Sequence, residues 1–433
     1  MLTPRSTDRE VVIMVSLSGT LLQPRSWDQC DITPATTVAI GDDGKVAEVG
    51  HRSPAGSDIV GDDGCWILPG FIDAHVHLPQ WDCRGLDGFT LFEWQKKVAY
   101  PAEERLQDAD CAERVANNFV TGMIANGTTT VAAFGSPFPD ATDRAFEVFE
   151  RRGLRAVHGL MLNDKNVPDR LSTPAEQALE SARTLAARWH NQGDGRLQYA
   201  LCPRAAICCS EELLRGVAAL AQTTGSHVLT HIAESEAAVS AVRDMYPDLL
   251  DDVDLFAETG LLTRRTLLGH GVCLSESLRR QVAETNAAVV HCPTANLFLE
   301  CGLMDYLAER RAQIPLALGS SIAAGSEPFM PQVAVACLQT AKALKVHAIP
   351  RGSYTPPRPA EGWWLLTGGA AQALDMGDRV GALQPGYEAD CLVVRPEDWI
   401  AELPPEQQVS ALLYTLRPHH IEHVYIAGRR VGP

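Results

Sequence analysis

Pro69-Gly70-Phe71-Ile72-Asp73-Ala74-His75-Val76-His77 is the stretch on which the fold turns. It reads as a short buried strand behind a Pro-Gly turn. Successive strand side chains point to opposite faces, so Asp73, His75 and His77 share one face. Two imidazoles side by side at a strand end can hold one divalent cation, commonly zinc. A bare His-x-His is more often a pair of surface or core histidines. The apolar run and the turn in front of this one shift the reading to a ligand pair.

Working outward, seven more runs share the strand character, separated by longer helical patterns. The full set is Trp66 to His77, Thr128 to Phe134, Leu154 to Leu160, Leu197 to Leu201, His227 to Ile232, Thr266 to His270, Ala287 to His291 and Pro315 to Gly319. Ala175 to His190, Glu211 to Thr223 and Leu303 to Arg311 are helical stretches in the gaps. Alternation of this kind is the pattern of repeated βα units and a parallel sheet. It predicts an α/β fold with a (β/α)8 TIM-like barrel over residues 67–377. The ends of the chain read differently. Val11 to Leu22 and the pair Thr36 to Ile40 and Lys45 to Val49, joined by the turn Gly41-Asp42-Asp43-Gly44, are strand and hairpin signals. Ala389 to Val394 and His423 to Val431 repeat the style, with a proline-containing connection between them. One small β-sandwich domain built from both termini, residues 1–66 and 378–433, is expected.

Composition narrows the function. Of 433 residues, 37 are Lys or Arg and 54 are Asp or Glu, a net charge of −17. With no basic run to offset it, a phosphate-backbone partner is excluded and a small-molecule substrate expected. The first residues, Met1 to Ser26, carry Asp8 and Glu10 and show no basic leader with a cleavage site. No stretch reaches the ~18 apolar residues of a membrane span. No membrane association and a cytoplasmic location are therefore expected. The 12 cysteines form no CxxC pair and lie mostly in apolar runs, so they read as buried free thiols.

Catalytic groups of a (β/α)8 barrel project from the carboxyl ends of its strands. There the sequence places His75 and His77 (first strand), Arg204 (fourth), His231 and Glu234 (fifth), His270 (sixth) and His291 (seventh). Thirteen histidines scattered over 433 residues would rarely put five at strand ends.

"PGFIDAHVH" resembles the first metal motif of the amidohydrolase superfamily, whose members hydrolyse C–N and related bonds on a metal-centred barrel. "HVHLPQ", "EWQKKVAYPAEERL", "CPRAAICCS", "LTHIAES", "LLGHGVCLSE" and "HCPTANLFLECGLM" follow in order and are similar to segments of the guanine deaminases. The resemblance implies that His75, His77, His231 and His270 hold the metal. Four nitrogens suit Zn2+, with Fe2+ or Mn2+ as other ions for such a set. It further implies that Gln80 and Arg204 hydrogen-bond a purine-like substrate and that Glu234 and His270 take part in catalysis. His291 reads as a residue behind the metal ligands or facing the substrate, rather than a ligand. The expected reaction is conversion of guanine, or a close analogue, to xanthine and ammonia. Guanine deaminases are generally homodimers, and the same assembly is implied.

Two positions depart from the pattern. The last strand should end in a Gly-Thr-Asp type motif, and aligning Leu318-Gly319 places Ser321 where the general-base aspartate belongs. A serine hydroxyl is no base near neutral pH, and general-base catalysis is typically worth ~10²–10⁴-fold. Ser321 thus raises four readings: an engineered substitution, a non-catalytic purine-binding barrel, transfer of the role to Glu234 or Glu327, or rewired metal chemistry. Beside Arg204, Ala205 replaces the usual aromatic. That removes a stacking wall, or enlarges the pocket toward a modified purine or related triazine.

Overall fold

The computed structural model describes residues 13–347 and 354–432. Asp8, Glu10 and Val11 lie outside the described residues. Among the described residues, seventeen strands form two sheets.

The first sheet contains β1 (Ile13–Pro24), β2 (Cys30–Gly41), β3 (Val46–Gly50), β4 (Asp58–Val60) and β5 (Trp66–Pro69) from the amino-terminal part of the chain. The barrel strands come next: β6 (Phe71–His77), β7 (Thr128–Phe134), β8 (Arg155–Gly159), β9 (Met161–Leu162), β10 (Leu197–Pro203), β11 (His227–Ile232), β12 (Thr266–His270), β13 (Ala288–His291) and β14 (Leu316–Leu318). β15 (Cys391–Val394), β16 (Ile421–Ile426) and β17 (Arg429–Gly432) return to the first sheet.

That sheet runs β17-β16-β15-β5-β1-β2-β3, with β4 alongside β1. It curls far enough for Lys45, next to β3, to bridge Glu388, just before β15. The curl encloses a separate apolar core that includes Leu17, Val38, Ile40, Ile67, Cys391 and Val393. Both ends of the chain therefore build one β unit, as expected.

The run from Trp66 to His77, read as one strand, is two. β5 pairs with β1 and β15, while β6 pairs in parallel with β7. Gly70 is the crossing point. Its N–H donates to the Asp390 carbonyl at 2.9 Å, and a Cβ there would lie 2.2 Å from Thr129 Oγ1, so no side chain fits. The segment His423 to Val431 is likewise a hairpin, with Ala427 (φ 47°) and Gly428 (φ 73°) at its tip. A positive φ at both central residues is what a tight two-residue hairpin turn demands.

The barrel sheet runs β6-β7-β8-β10-β11-β12-β13-β14, and its neighbouring pairs are parallel. Two backbone bonds join the last strand's loop to the first strand: Ser321 N–H to the His75 carbonyl at 2.8 Å, and His77 N–H to the Ile322 carbonyl at 2.9 Å. Helices cover the outside. The helix Ala109–Ala125 begins where Asp108 accepts from the Cys111 N–H, and it buries Val115, Phe119, Val120 and Met123 against the strands. A fully buried side chain of this size contributes about 1.5–3 kcal/mol. The helical stretch from Leu303 starts at Tyr306, because Asp305 caps the Ala308 N–H at 3.1 Å and fixes the first turn there. The connection after β15 holds an unforeseen helix, Pro405–Thr415, with Pro405 at its first position, where its missing N–H costs nothing. Among the described residues no helix is long and apolar enough to cross a membrane.

Candidate active site

β6, β11 and β12 bring four imidazoles together at their carboxyl ends. His75 and His77 project from the same face of β6, as the two-residue period requires. Their ring centroids lie 5.3 Å apart, and those of His75 and His231 4.8 Å, His75 and His270 5.1 Å, and His77 and His231 5.1 Å. Two glycines make room for His75. A Cβ on Gly269 would fall 2.3 Å from its Cε1, and one on Gly319 2.5 Å from its Cβ.

The hydrogen bonds around the cluster set its tautomers. His231 Nδ1 lies 2.6 Å from the Arg204 carbonyl, and His270 Nδ1 lies 2.7 Å from Asn296 Oδ1. Each acceptor requires the proton on Nδ1, which leaves the Nε2 lone pair free. Burial, then repulsion from the neighbouring rings, holds His75 and His77 well below the ordinary imidazole range. His231 is pushed down to about 3 by the same causes. His75 Nε2, His77 Nδ1 and His270 Nε2 are buried without a hydrogen-bond partner, and His77 Nε2 faces His231 Nε2 at 3.1 Å. Converging, unsatisfied nitrogens fit a divalent cation held by imidazoles, and the outer bonds to a carbonyl and an amide are the usual support for such ligands. One ligand atom from each of His75, His77 and His231 falls within a 4.8 Å group.

Glu234 stands beside this cluster, its Oε1 3.4 Å from His270 Nε2, and burial pushes its carboxyl up. His77, Gln80, Arg204, Ala205, Glu234 and Ser321 share one cavity. The Arg204 guanidinium is fully buried. It pairs with Glu103, donates from Nε to Asn163 Oδ1 at 3.1 Å, and lies 5.3 Å from the Tyr100 ring centre. Burial raises the Glu103 carboxyl although Arg204 pulls it down, and burial opposes the Arg204 charge although Glu103 restores it. Gln80 spans the cavity floor: its Nε2 donates to Glu103 Oε1 at 3.5 Å, and its Oε1 accepts from the Ala323 N–H at 3.4 Å.

Backbone strain concentrates here. Ala233, His270 and Ser321 have φ values of 42°, 75° and 49°, a region costly for residues with a Cβ and commonest at functional sites. The Ser321 hydroxyl is buried and unpartnered. Asp73 is buried rather than cavity-facing, and accepts from the Ser320 N–H at 3.0 Å and the His75 N–H at 3.2 Å. Burial raises its carboxyl to about 6. It braces the strand ends. His291 is buried with both nitrogens unpartnered, and burial lowers it to about 3. Glu327 accepts from the Phe329 N–H at 2.8 Å and does not line the cavity.

Four residues here carried no signal of their own in the sequence. Glu103 and Asn163 hold Arg204, and Asn296 orients His270, yet none sits on a barrel strand. The fourth is Cys292, whose thiol groups with His75 and His270 within 4.8 Å. Glu103, Cys292 and Asn296 lie inside the segments "EWQKKVAYPAEERL" and "HCPTANLFLECGLM" quoted above, but that likeness gave them no role.

Imidazoles converging at the mouth of a parallel barrel, with a carboxylate beside them, define a hydrolase of the metal-dependent barrel class. The amidohydrolase family profile matches residues 66–431. The guanine deaminase of Escherichia coli K12 is 32% identical over 334 residues, 77% of this chain and 74% of that protein. A probable guanine deaminase of Deinococcus radiodurans is 31% identical over 408 residues, 90% and 91% of the two chains. The crystal structure of guanine deaminase from Bradyrhizobium japonicum superimposes with a TM-score of 0.91 at 27% identity, covering 97% of this chain and 99% of its own. The chain belongs to the amidohydrolase family, in its guanine deaminase branch.

Proposed function

We propose that this protein hydrolyses guanine to xanthine and ammonia at a zinc centre held by His75, His77, His231 and His270. The observation that carries the reading is a single cavity lined by His77, His231, Glu234, Arg204 and Gln80. When bound, the cation supplies Lewis acidity that makes a water molecule a stronger acid and nucleophile. Arg204, held rigid by Glu103 and Asn163, donates to the purine carbonyl, and Gln80 meets the polar edge of the ring. Glu234 takes the proton from the attacking water and delivers it to the ring nitrogen beside the amino-bearing carbon. Its raised proton affinity suits both halves of that transfer. Glu234 then passes the proton of the newly added hydroxyl to the amino group, the C–N bond breaks, and ammonia leaves. Water supplies the oxygen of the new carbonyl, so the atoms balance.

Ser321 cannot share the base role, because its hydroxyl is too weak an acid to ionise near neutral pH. Glu234 carries both transfers, and turnover is correspondingly slow. The test compares the chain with its Ser321→Asp variant, measuring zinc content and ammonia release from guanine. The variant should gain roughly 10²–10³-fold, within the usual worth of a general base. Absence of ammonia from both proteins at full zinc loading would refute the reading. Residues 67–377 form the catalytic barrel in this proposal, and the protein acts as a cytoplasmic homodimer. Light scattering after gel filtration tests the assembly.

A further inference from the structure

The histidine cluster has one further neighbour able to bind a cation. Cys292, just past β13, is fully buried, and its sulfur lies within 4.8 Å of a ring nitrogen of His75 and one of His270. Gly319 lets thiol and ring approach, since a Cβ there would fall 2.5 Å from the His75 Cβ and 3.1 Å from the Cys292 sulfur. A buried thiol alone is core packing. Here its surroundings await a ligand: His75 Nε2 and His270 Nε2 have no hydrogen-bond partner, and neither does the hydroxyl of Ser321, a residue 1% exposed. Charge gives the cysteine its significance. Imidazoles ligate as neutral groups, so four of them leave both charges of a divalent cation uncompensated in a buried site, which is costly. The family pattern answers with a carboxylate after the last strand, and Ser321 has none. Glu234 gains and loses a proton in the proposed reaction and gives no standing charge.

We infer that Cys292 binds the zinc as a thiolate and supplies the negative charge that Ser321 does not, a role that rests on the zinc centre proposed above and completes its ligand set. On binding, the S–H bond gives way to a sulfur–zinc bond and the proton leaves to solvent. Burial keeps the thiol protonated while no cation is bound. A coordinating cation deprotonates a thiol outright, so the ion itself overcomes that raised proton affinity. A thiolate also favours Zn2+ over Mn2+ at the site. As a strong electron donor it tempers the Lewis acidity of the ion, which adds to the slow turnover expected from the serine.

X-ray absorption at the zinc edge tests it, because sulfur lies at about 2.3 Å from zinc and imidazole nitrogen at ~2.0–2.1 Å. The full chain loaded with equimolar zinc should show a sulfur neighbour, and the cobalt-substituted protein a thiolate-to-cobalt charge-transfer band. Both signals should vanish in Cys292→Ser and persist in Cys202→Ser, which removes another fully buried barrel thiol. Cys292→Ser should also weaken zinc binding at least ~10-fold, the lower end of what a supporting residue costs. Adding Ser321→Asp to that variant should restore the affinity without restoring the sulfur signal, a rescue that a cysteine serving only to fill the core would not show. A zinc shell of nitrogen and oxygen alone in the unmodified chain overturns the inference, whether or not the variants fold. So does a sulfur signal that survives Cys292→Ser. If that nitrogen and oxygen shell accompanies deamination of guanine, the thiolate is wrong and the guanine reading stands. If sulfur is present and guanine is left intact, the thiolate holds and the guanine reading falls. If the unmodified chain binds no zinc, both fall.

Discussion

Two fully buried arginines, one at each end of the barrel, show what separates a structural charge cluster from a reactive one. Arg155, at the amino end of β8, donates from Nε to Asp390 Oδ2 at 2.8 Å and from Nη2 to Asp390 Oδ1 at 3.0 Å, and it also pairs with Glu388. Asp390 in turn accepts from the Ala427 N–H at 2.7 Å, and Glu388 also pairs with Arg379. Burial opposes the Glu388 charge, yet Arg155 and Arg379 hold its carboxyl below the ordinary range. The partners are complete and tie the barrel to the first sheet. Arg204, at the other end, has an equally good partner in Glu103. Around it, however, lie imidazole nitrogens and a serine hydroxyl without partners, on strained backbone. At one end polar groups consume each other, and at the other they are held open for something that arrives.

The sharpest break of that comparison is Glu234→Gln, which keeps shape and removes the proposed proton carrier. It should lower kcat on guanine by ~10²–10⁴-fold with little change in melting temperature, read by ammonia release and calorimetry. At the opposite end Arg155→Met should do the reverse. Two carboxylates lose their partner, so stability should fall by about 3–5 kcal/mol in urea unfolding, while the folded fraction keeps its KM. An activity loss out of proportion to the folded fraction would show that the two ends are not separate. Glu103→Gln sharpens the contrast, because it sits in a buried ion pair yet serves the cavity. KM for guanine should rise by about tenfold, with kcat changed less, as expected when a charge-assisted bond that positions a binding group weakens. The smallest effect is on acid stability. Glu388 has a lowered folded pKa, so its contribution is full above the ordinary carboxylate value near ~4.3 and fades as pH falls through the folded value. Unfolding midpoints of the unmodified chain should drop in that window, and those of Glu388→Gln should drop less.

Much of the frame was legible, because strands and helices leave local periods. Thr128–Phe134, His227–Ile232 and Thr266–His270 begin and end where their apolar runs do. What escaped was set by contacts between distant residues. Gly70 divides one apolar run between two sheets only because Thr129 and Asp390 crowd it. The four imidazoles could be read from strand ends and from family likeness together. The supporting layer could not, since Glu103 meets Arg204 across 101 positions of chain and Asn163 does so across 41. Ser321 was visible as an oddity, but the left-handed backbone and orphaned hydroxyl that mark its position belong to three dimensions.

The two backbone bonds that lace the loop after β14 to β6 have a consequence for assembly. Asp73 and Ser320 are bonded although 247 positions apart, so the seam closes only after nearly every other stave is in place. Long-range closures of this kind come late and slowly, because the entropy of a long loop must be overcome before the contact rewards it. His75 and His77 hang from that seam. In the proposed reading of these histidines as metal ligands, metal uptake during refolding is a clock for the final stitch, and a nascent chain that has not yet emerged past Ser321 has no finished cage to load.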